Sequence, residues 1–424
     1  MRITSIEAHG FKSLDDVRLD IDGKNTILFG VNGSGKSTVL SVIDYVAYIW
    51  LNRLSARQGT AYKTIEDEVI RFGREEAVLT VELELNGKQW TLRRGKKRPA
   101  DGYRSKSSYP TKDFSEFTDF FRHAYFDGGD VVTMPIFVNY GTNRIVSDTF
   151  PPAGKNADFR ASAFDYAVEG TVDFKRFFMW FRNQEDLENE KRLNDGNPSY
   201  RDPLLSAVRG AIEGALGNLH NLRVRRDELA MTVEKQGQTI YVDQLSDGEK
   251  CTLALIGDIA RRMALANPRS SQPLKGDGIV LIDEVELHLH PSWQRRILSE
   301  LSRIFPNVQL VVTTHSPQVL GEVDDSWFIA LLDSSDGACE VKCLDRMDRF
   351  DSNTILEDFM GTPSQNEEFT GLARKINRLI TEGSLDAAEA EIETLSVMSG
   401  ENSPIVIAAR GSLQRKKWLN DQNR

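Results

Sequence analysis

A glycine-rich segment near the N-terminus constrains the fold more than any other feature of the chain. It has a glycine, four residues, a glycine, a lysine and a serine, and reads Gly30-Val31-Asn32-Gly33-Ser34-Gly35-Lys36-Ser37. An apolar run over residues 25–29 precedes it, and residues 38–51 have the apolar positions of a buried helix. This order of strand, loop and helix is the context in which the pattern binds phosphate. We therefore predict an α/β fold organised around a phosphate-binding loop.

The residue types of this loop suit a nucleotide and a magnesium ion. Glycines allow backbone N–H groups to curl round phosphate oxygens at a helix N-terminus. Lys36 would neutralise the β- and γ-phosphates, and Ser37 would offer its hydroxyl to Mg²⁺. A chance glycine-rich turn would not combine three glycines, the Lys-Ser pair and both flanking elements. We expect ATP and Mg²⁺ as cofactors, and a nucleotide-binding set of Gly30, Val31, Asn32, Gly33, Ser34, Gly35, Lys36, Ser37 and Thr38.

Two carboxylates follow a second apolar strand far down the chain. Residues 278–282 form a continuous apolar run, which is typical of a parallel strand buried on both faces, and Asp283 and Glu284 come directly after it. Open α/β sheets bind ligands at the carboxyl ends of their strands. We expect Asp283 to hold Mg²⁺ and Glu284 to be a catalytic residue that polarises the attacking water. An apolar strand followed by Asp-Glu is common and by itself is weak evidence for a nucleotide site. In combination with the phosphate-binding loop it becomes strong evidence.

A third segment, residues 245–250, precedes a helix-like run that ends near Ala266. Ser246 and Glu249 have the spacing of a capping box, so the segment could simply begin a helix. The same geometry also makes an anion site, because Gly248 leaves the helix N-terminus uncovered for a phosphate group. Capping and phosphate contact are therefore compatible.

With these three segments the chain resembles ATPases of the ABC type. Their Leu-Ser-x-Gly-Gln/Glu signature, which corresponds to residues 245–249 here, binds the γ-phosphate of a nucleotide held by the opposite subunit. The resemblance implies that Ser246 and Gly248 bind nucleotide in a head-to-tail homodimer, with a higher assembly as a further option. The strand of residues 308–314 delivers His315 to the position of the family's switch histidine, where it would sense the γ-phosphate as a second catalytic residue.

Other segments resemble particular branches of this family. Residues 3–14 and 286–291 resemble the RecF, SMC and OLD branch, and residues 51–240 lack the sustained heptads of an SMC coiled-coil arm. Residues 351–363 resemble the C-terminal region of ATPases from bacterial Septu and retron defence systems. In those systems the ATPase works beside a separate nuclease of the HNH type, so the resemblance implies such a partner.

The motifs and the patterning between them predict a P-loop NTPase with an ABC-type head, an antiparallel β lobe, a mixed helical insertion and a small C-terminal helical module. The β lobe is indicated by the alternation over residues 79–85, the turn Asn86-Gly87 and a return strand through Trp90. We expect residues 1–95 to form the N-terminal half of the head, 96–220 an insertion of loops and helices, 221–345 the C-terminal half and 346–424 the helical module.

A basic segment follows the predicted hairpin and consists of Arg93, Arg94, Lys96, Lys97 and Arg98. Contact with the phosphates of DNA or RNA is one interpretation of this charge density. A solvated loop is the other, because nothing in the sequence fixes the geometry of these side chains. Both interpretations stay open.

Composition and charge exclude several classes of protein. The formal net charge of −10 argues against indiscriminate coating of DNA. The first residues lack the pattern of a signal peptide, and the longest apolar stretch is shorter than the roughly 20 residues that cross a bilayer. Cys251, Cys339 and Cys343 lack the spacing of a disulfide framework, which indicates a reducing compartment. We expect a cytoplasmic protein without a membrane partner.

These observations favour an ABC-type ATPase that acts as the sensor or regulatory subunit of an anti-phage defence system and controls a separate effector nuclease. Two alternatives remain open. One is a RecF-like DNA-repair ATPase that binds DNA directly. The other is the ATPase subunit of a transporter, which would need a membrane partner.

Overall fold

The computed structural model of the chain describes residues 1–54, 64–98, 112–127, 132–142, 160–170, 174–333, 339–361 and 367–422. Within them the chain forms two compact units, Met1–Ser352 and Asn353–Arg424. The predicted boundaries at residues 95, 220 and 345 stay predictions.

The first unit combines three β-sheets with helices, and the second is helical. The strands are β1 (Arg2–Phe11), β2 (Leu14–Asp20), β3 (Thr26–Phe29), β4 (Glu76–Leu85), β5 (Lys88–Lys97), β6 (Ile136–Tyr140), β7 (Leu219–Arg225), β8 (Ala230–Lys235), β9 (Gln238–Tyr241), β10 (Gly278–Ile282), β11 (Val308–Thr314), β12 (Phe328–Asp333) and β13 (Glu340–Leu344). The helices are α1 (Lys36–Leu54), α2 (Lys112–Arg122), α3 (Phe174–Asn194), α4 (Pro203–Ala215), α5 (Asp247–Ala266), α6 (Pro291–Gln294), α7 (Ile297–Ile304), α8 (Pro317–Leu320), α9 (Ser352–Thr354), α10 (Glu367–Glu382), α11 (Leu385–Ser399) and α12 (Pro404–Gln422).

The central sheet has six strands in the order β13-β12-β3-β11-β10-β6. All pairings from β12 to β6 are parallel, and β13 is an antiparallel edge strand. Every residue of β3, β10 and β11 is buried, which explains why β10 is a continuous apolar run and why β3 and β11 are mostly apolar. Because these strands are parallel, the segments that follow β3, β10 and β11 all leave the sheet at one edge.

Strand β6 lies within the predicted insertion of residues 96–220. It pairs in parallel with β10, with Tyr140 opposite Ile282. This part of the chain therefore contributes a strand to the central sheet and does not consist of loops and helices alone. A short, mostly apolar segment cannot be distinguished from a piece of buried helix by its periodicity, and that is why the sequence did not reveal it.

The antiparallel β lobe is a four-stranded sheet in the order β2-β1-β4-β5. Its hairpin places Leu85 opposite Lys88, and Asn86 and Gly87 both have positive φ, 53° and 75°. Two such residues are what a tight type I′ turn requires. The predicted hairpin is confirmed.

A third sheet, in the order β7-β8-β9, leads into the signature segment. Helix α4 precedes it and begins after Asp202, whose carboxylate accepts hydrogen bonds from the N–H groups of Leu204 and Leu205, both at 3.0 Å. Helix α5 follows it and begins after Ser246. Both starts use a side-chain oxygen to satisfy N–H groups that the helix leaves open.

Four charged and polar side chains are buried where α5 packs on β6. The Asp258 carboxylate accepts hydrogen bonds from Arg261 Nε at 2.9 Å, from Arg262 Nε at 2.8 Å and from the Tyr140 hydroxyl at 2.8 Å. Burial by itself would raise the pKa of the Asp258 carboxyl, but the two arginine charges hold it well below its usual range. The cluster fixes α5 against an edge strand of the central sheet.

The second unit packs α10, α11 and α12 around a shared apolar core. That core includes Ile376, Ala388, Ile392, Leu395, Val406 and Leu413, all of which are buried. None of the helices in the described part of the chain combines the length and apolar composition that a bilayer crossing requires. The predicted fold class, an α/β P-loop ATPase of the ABC type with an antiparallel lobe and a C-terminal helical part, is confirmed.

The buried charge cluster yields a stability prediction. Asp258→Asn keeps the shape of the side chain but leaves two buried arginines without their counter-charge, which costs on the order of 3–5 kcal/mol when one partner of a buried ion pair is removed. We expect the urea concentration at the midpoint of unfolding to fall clearly, as measured by tryptophan fluorescence. Asp227→Asn, which removes an exposed carboxylate paired with Arg225, is the control and should stay close to the parent. Equal midpoints for the two variants would contradict this view of the cluster.

Candidate functional site

The phosphate-binding loop lies between β3 and α1, at the carboxyl edge of the central sheet. Its backbone needs glycine at two places in particular, with φ of 143° at Gly30 and 81° at Gly33. A Cβ atom on Gly30 would lie 2.2 Å from the carbonyl oxygen of Leu332, so the loop passes directly against β12. Around Gly33 there is open space. The loop is therefore closed against the sheet at one end and open to a ligand further along.

Lys36 begins α1 and folds back into this loop. Its Nζ donates hydrogen bonds to the carbonyl oxygens of Gly30 at 3.0 Å and Val31 at 2.8 Å, and it lies 3.4 Å from Ser34 Oγ. The ammonium group thus sits in the middle of the loop with oxygen acceptors around it. Phosphate oxygens are acceptors of the same kind.

The remaining loop residues divide into an exposed and a buried part. Val31, Asn32 and Gly33 are exposed, whereas Ser34 is buried and its carbonyl oxygen accepts a hydrogen bond from Cys339 Sγ at 3.2 Å. Thr38 is half-buried and accepts a hydrogen bond from the Ser13 hydroxyl at 3.2 Å. The connection between β1 and β2 and the residue that precedes β13 therefore contact the loop.

The Asp283 carboxylate joins three strands of the sheet to the loop. Its Oδ1 accepts hydrogen bonds from Ser37 Oγ at 2.9 Å and from Thr313 Oγ1 at 2.5 Å. Its backbone N–H donates to the carbonyl oxygen of Tyr140 at 2.8 Å. The structure thus brings Ser37 and Asp283, the two predicted magnesium ligands, into direct contact although 246 positions separate them in the sequence.

Glu284 follows in a left-handed backbone conformation, with φ of 49°. Glutamate rarely adopts this conformation, and such local strain clusters at functional sites. The turn is held by Thr313, whose Oγ1 accepts the Glu284 N–H at 2.7 Å and whose carbonyl oxygen accepts the Val285 N–H at 3.0 Å. Glu284 therefore leaves the strand at a fixed angle, beside Asp283.

His315 leaves the neighbouring strand β11 and is held by Glu286. The Glu286 carboxylate accepts the backbone N–H of His315 at 2.5 Å and the Thr314 hydroxyl at 2.8 Å. The next residue, Ser316, begins α8 by accepting hydrogen bonds from Gln318 N and Val319 N. The predicted switch histidine is thus anchored through its backbone, while its ring is left half-buried near the site.

The electrostatics of this edge affect two titratable groups. Burial lowers the pKa of Lys36 to about 8, although the charges of Asp283, Glu284 and Glu286 oppose this shift. Burial and the nearby Lys36 charge also lower the pKa of His315, against the same three carboxylates. His315 is therefore neutral at neutral pH, and Lys36 gives up its proton more readily than an exposed lysine does.

The signature segment is built as a complete capping box. The Glu249 N–H donates to Ser246 Oγ at 3.4 Å, and the Ser246 N–H donates back to the Glu249 carboxylate at 3.2 Å. Lys235 Nζ lies 2.8 and 2.9 Å from the two Glu249 carboxylate oxygens, and Asn218 Nδ2 lies 3.2 Å from one of them. Burial tends to raise the pKa of Glu249, but these partners hold it below its usual range. Glu249 thus fastens the start of α5 to the third sheet.

Gly248 contacts the segment that follows the acidic strand. A Cβ atom at this position would lie 2.9 Å from the carbonyl oxygen of His288, a residue with φ of 64°. Among the described residues, the side-chain hydrogen bonds of Ser246 are with Glu249, and neither Ser246 nor Gly248 bonds to the phosphate-binding loop. Within one chain the structure therefore brings together Lys36, Ser37, Asp283, Glu284 and His315, and does not add the signature residues to them.

The basic segment lies at the end of strand β5, and its side chains contact different parts of the chain. Arg94 Nη1 donates to the carbonyl oxygen of Tyr45 at 2.5 Å, and burial lowers the pKa of this guanidinium. Lys96 pairs with Asp67 at 2.8 Å, and Arg98 Nη2 donates to the carbonyl oxygen of Ile70 at 3.1 Å. Arg93 and Lys97 are exposed. Arg94, Lys96 and Arg98 therefore bind groups of the chain itself, and a nucleic-acid contact by this segment stays a prediction.

Sequence reasoning missed three residues that hold the site together, namely Thr313, Glu286 and Tyr140. A signal existed for Thr313, because a threonine at the end of a buried strand beside two carboxylates can place its hydroxyl between them. Glu286 was visible as a carboxylate near Asp283, but nothing local showed that it would bind the backbone of His315. Tyr140 could not be found, since it acts from a strand that the sequence did not reveal.

The residues present fit a magnesium-bound nucleotide. The Ser37 hydroxyl and an Asp283 carboxylate oxygen lie side by side, and hydroxyl and carboxylate oxygens are the hard ligands that Mg²⁺ prefers. The open space at Gly33 and the central position of Lys36 suit the phosphate groups. Together the fold and this site define a P-loop ATPase of the ABC type.

The chain belongs to the family described as "AAA domain, putative AbiEii toxin, Type IV TA system", whose model matches residues 26–321. That range runs from β3 to the residue after α8, and thus contains the phosphate-binding loop, the signature and the acidic strand.

Similar proteins include ATPases named for retrons and the Septu protein PtuA. The chain is 28% identical to the Retron Ec83 probable ATPase of Escherichia coli, over 99% of this chain and 88% of that protein. It is 26% identical to the Septu protein PtuA of Bacillus mycoides, over 79% of this chain and 41% of that protein. Among solved structures, the chain is similar to the SMC head domain from Thermotoga maritima. The match covers 81% of this chain and 99% of the SMC head domain, with 16% sequence identity and a TM-score of 0.44. The predicted resemblance to retron and Septu ATPases is confirmed.

The pKa of Lys36 predicts how nucleotide affinity depends on pH. Only the protonated lysine attracts phosphate, so with a pKa of about 8 in the free protein the affinity should be about tenfold weaker at pH 9 than at pH 7. The measurement is titration of a fluorescent nucleotide analogue across this range. In the Lys36→Arg control the guanidinium stays charged throughout, so its profile should be flatter. Identical profiles for the two proteins would show that Lys36 does not titrate at the site.

Proposed function

We propose that this chain is the ATP-hydrolysing regulatory subunit of an antiviral defence system, and that it controls a separate effector nuclease. The observation that carries the enzymatic part is the Asp283 carboxylate, which joins the phosphate-binding loop through Ser37 to the strand end that presents Glu284. The defence role is supported by the relatives, which are named as retron and Septu proteins.

Each residue of the site has a defined part in this proposal. Lys36 and the N–H groups of the loop bind the phosphate groups, and Ser37 and Asp283 hold Mg²⁺, which would supply positive charge against the phosphate oxygens. Glu284 polarises the attacking water, and the strained turn that Thr313 holds keeps its carboxylate in place. His315, neutral at neutral pH, can donate a hydrogen bond to the γ-phosphate and thereby report its presence.

The dimer is the second part of the proposal. Ser246, at the start of α5, is exposed, and Gly248 is half-buried. The side-chain hydrogen bonds of Ser246 are with Glu249 of the same segment, and the phosphate-binding loop of the same chain is open at Gly33. A two-fold, head-to-tail dimer would let the signature of each chain complete the site of the other. The close approach of Gly248 to His288 supports this arrangement, because the signature and the segment after the acidic strand then form one continuous surface.

The effector is the third part of the proposal. The C-terminal helical unit is a candidate docking module for it, and a nuclease of the HNH type is the partner that the Septu resemblance implies. A RecF-like ATPase that binds DNA directly is the second candidate function, and the basic segment on β5 is the feature that favours it.

The role of Glu284 gives the first test. Glu284→Gln removes the charge that polarises water but keeps the size of the side chain, so ATP turnover should fall by at least about 100-fold, in line with the usual contribution of a general base. Nucleotide affinity should stay within a few-fold of the parent, because Ser37 and Asp283 are unchanged. Phosphate release and nucleotide titration measure the two quantities. A variant that hydrolyses ATP at the parent's rate would remove Glu284 from the proposed chemistry.

Composite sites give the second test. Lys36→Ala and Ser246→Arg should each abolish hydrolysis alone. In a mixed dimer, one site carries both lesions and the other combines an intact loop with an intact signature, so mixing should restore activity at one site of two. Phosphate release at increasing ratios of the two variants measures this. If Ser246→Arg hydrolyses ATP normally at every protein concentration, Ser246 is only a helix cap and the shared-site dimer is wrong.

A further inference from the structure

A groove lined by arginines lies on the first unit, outside the nucleotide site. It has a volume of about 570 Å³ and is bordered by the helices α3 and α4 and the strand β7. Its lining includes five arginines against three glutamates, so its formal charge is 5 − 3, or +2, on a chain whose net charge is −10. None of the residues assigned to the nucleotide site lines it.

Two buried glutamates form the floor of this groove. Glu185 accepts hydrogen bonds from Arg209 at 2.6 Å, from Arg226 at 2.9 Å and from the Val224 N–H at 3.0 Å. Both oxygens of this carboxylate therefore already accept hydrogen bonds from groups of the chain.

Glu188 is engaged in the same way. It pairs with Arg192, lies 3.4 Å from Arg209 Nη1 and accepts the Asp202 N–H at 2.7 Å. Its side chain is 2% exposed. The floor is therefore an ion cluster in which arginines compensate both buried carboxylates, and it fixes the shape of the groove.

Two further arginines on the rim take no part in this cluster. Arg201 Nη1 donates to the carbonyl oxygen of Tyr200 at 3.1 Å, and Arg223 Nε donates to Asn221 Oδ1 at 2.7 Å. Both are exposed, and within the described residues neither has a carboxylate partner. Each guanidinium carries five N–H donors, so most of their donors still point to solvent.

We propose that this groove binds phosphate groups, and that its natural ligand is the phosphodiester backbone of a nucleic-acid strand. Guanidinium groups match phosphate oxygens in geometry and charge, and they are over-represented where phosphate is recognised. A strand fits better than a compact metabolite because Arg201 and Arg223 lie on the rim of an open groove rather than inside a closed cavity. A free polyphosphate shares the same chemistry and is the other source that the test must separate.

The test is binding of a fluorescein-labelled single-stranded oligonucleotide to the full chain, measured by anisotropy at several salt concentrations. All proteins carry Lys36→Ala, so that the phosphate-binding loop does not contribute. The groove variant is Arg201→Gln/Arg223→Gln. Its control is Arg374→Gln/Arg415→Gln, which removes two exposed arginines from the second unit. A third variant, Arg93→Gln/Lys97→Gln, removes the exposed cations of β5.

The groove variant should bind the oligonucleotide about 10-fold or more weakly than the control, and the salt slope should fall by about 1.4, since two single-strand phosphate contacts are lost. Tripolyphosphate is the probe for the other source. If the natural ligand is a free polyphosphate, tripolyphosphate should bind the protein with an intact groove tightly, its affinity for the groove variant should be at least about 10-fold weaker, and the oligonucleotide should not bind. That result would confirm the phosphate site and replace the strand by a free anion. If the groove variant matches the control for both probes, or only the β5 variant loses affinity, the proposal is wrong. Thermal unfolding of each variant checks that it folds.

Discussion

The site depends on one hydrogen-bonded carboxylate oxygen. Asp283 Oδ1 accepts from Ser37 on α1 and from Thr313 on β11, so a single atom links the phosphate-binding loop to two strands that come much later in the sequence. This contact exists because β11 lies between β3 and β10 with a fixed register, in which Thr314 is opposite Phe29 and Val312 is opposite Ile282. A one-residue slip of either pair would turn the end residues to the other face of the sheet and separate the loop from the carboxylate.

A second link connects this edge to the signature helix. Tyr140 accepts the Asp283 N–H with its backbone and donates its hydroxyl to Asp258 on α5. A buried ion cluster of this kind is weak evidence for net stability, because desolvation offsets much of the attraction. The cluster instead determines geometry. Removing one member leaves an uncompensated buried charge, so α5 and β6 are held in one arrangement. The start of α5 carries Ser246, and the signature is therefore tied to the same strand edge that it would serve in a partner chain.

The sequence predicted those parts whose cause is local. Gly30, Gly33 and Lys36 are set by the loop's own geometry, the Asn86-Gly87 hairpin by the positive φ of two residues, and the start of α5 by a capping box four residues long. The buried strand β10 followed from its continuous apolar run, and β11 from a mostly apolar segment that ends in His315. Contacts between distant segments that no motif marks were not predictable, and Thr313, Glu286 and Tyr140 act only through such contacts. The arginine groove is the clearest case, because Arg201, Arg209 and Arg226 meet only after α3, α4 and β7 have packed.

The account's central claim is that Ser37 and Asp283 form one magnesium site next to the phosphate-binding loop. The most direct measurement is the nucleotide affinity with and without Mg²⁺, by calorimetry with a non-hydrolysable ATP analogue, in the parent and in Asp283→Asn. We expect Mg²⁺ to tighten binding by the parent and to have little effect on Asp283→Asn, while the metal-free affinities stay similar. If Mg²⁺ strengthens binding equally in both proteins, the metal is held elsewhere, and the contact between Ser37 and Asp283 does not have the function assigned to it.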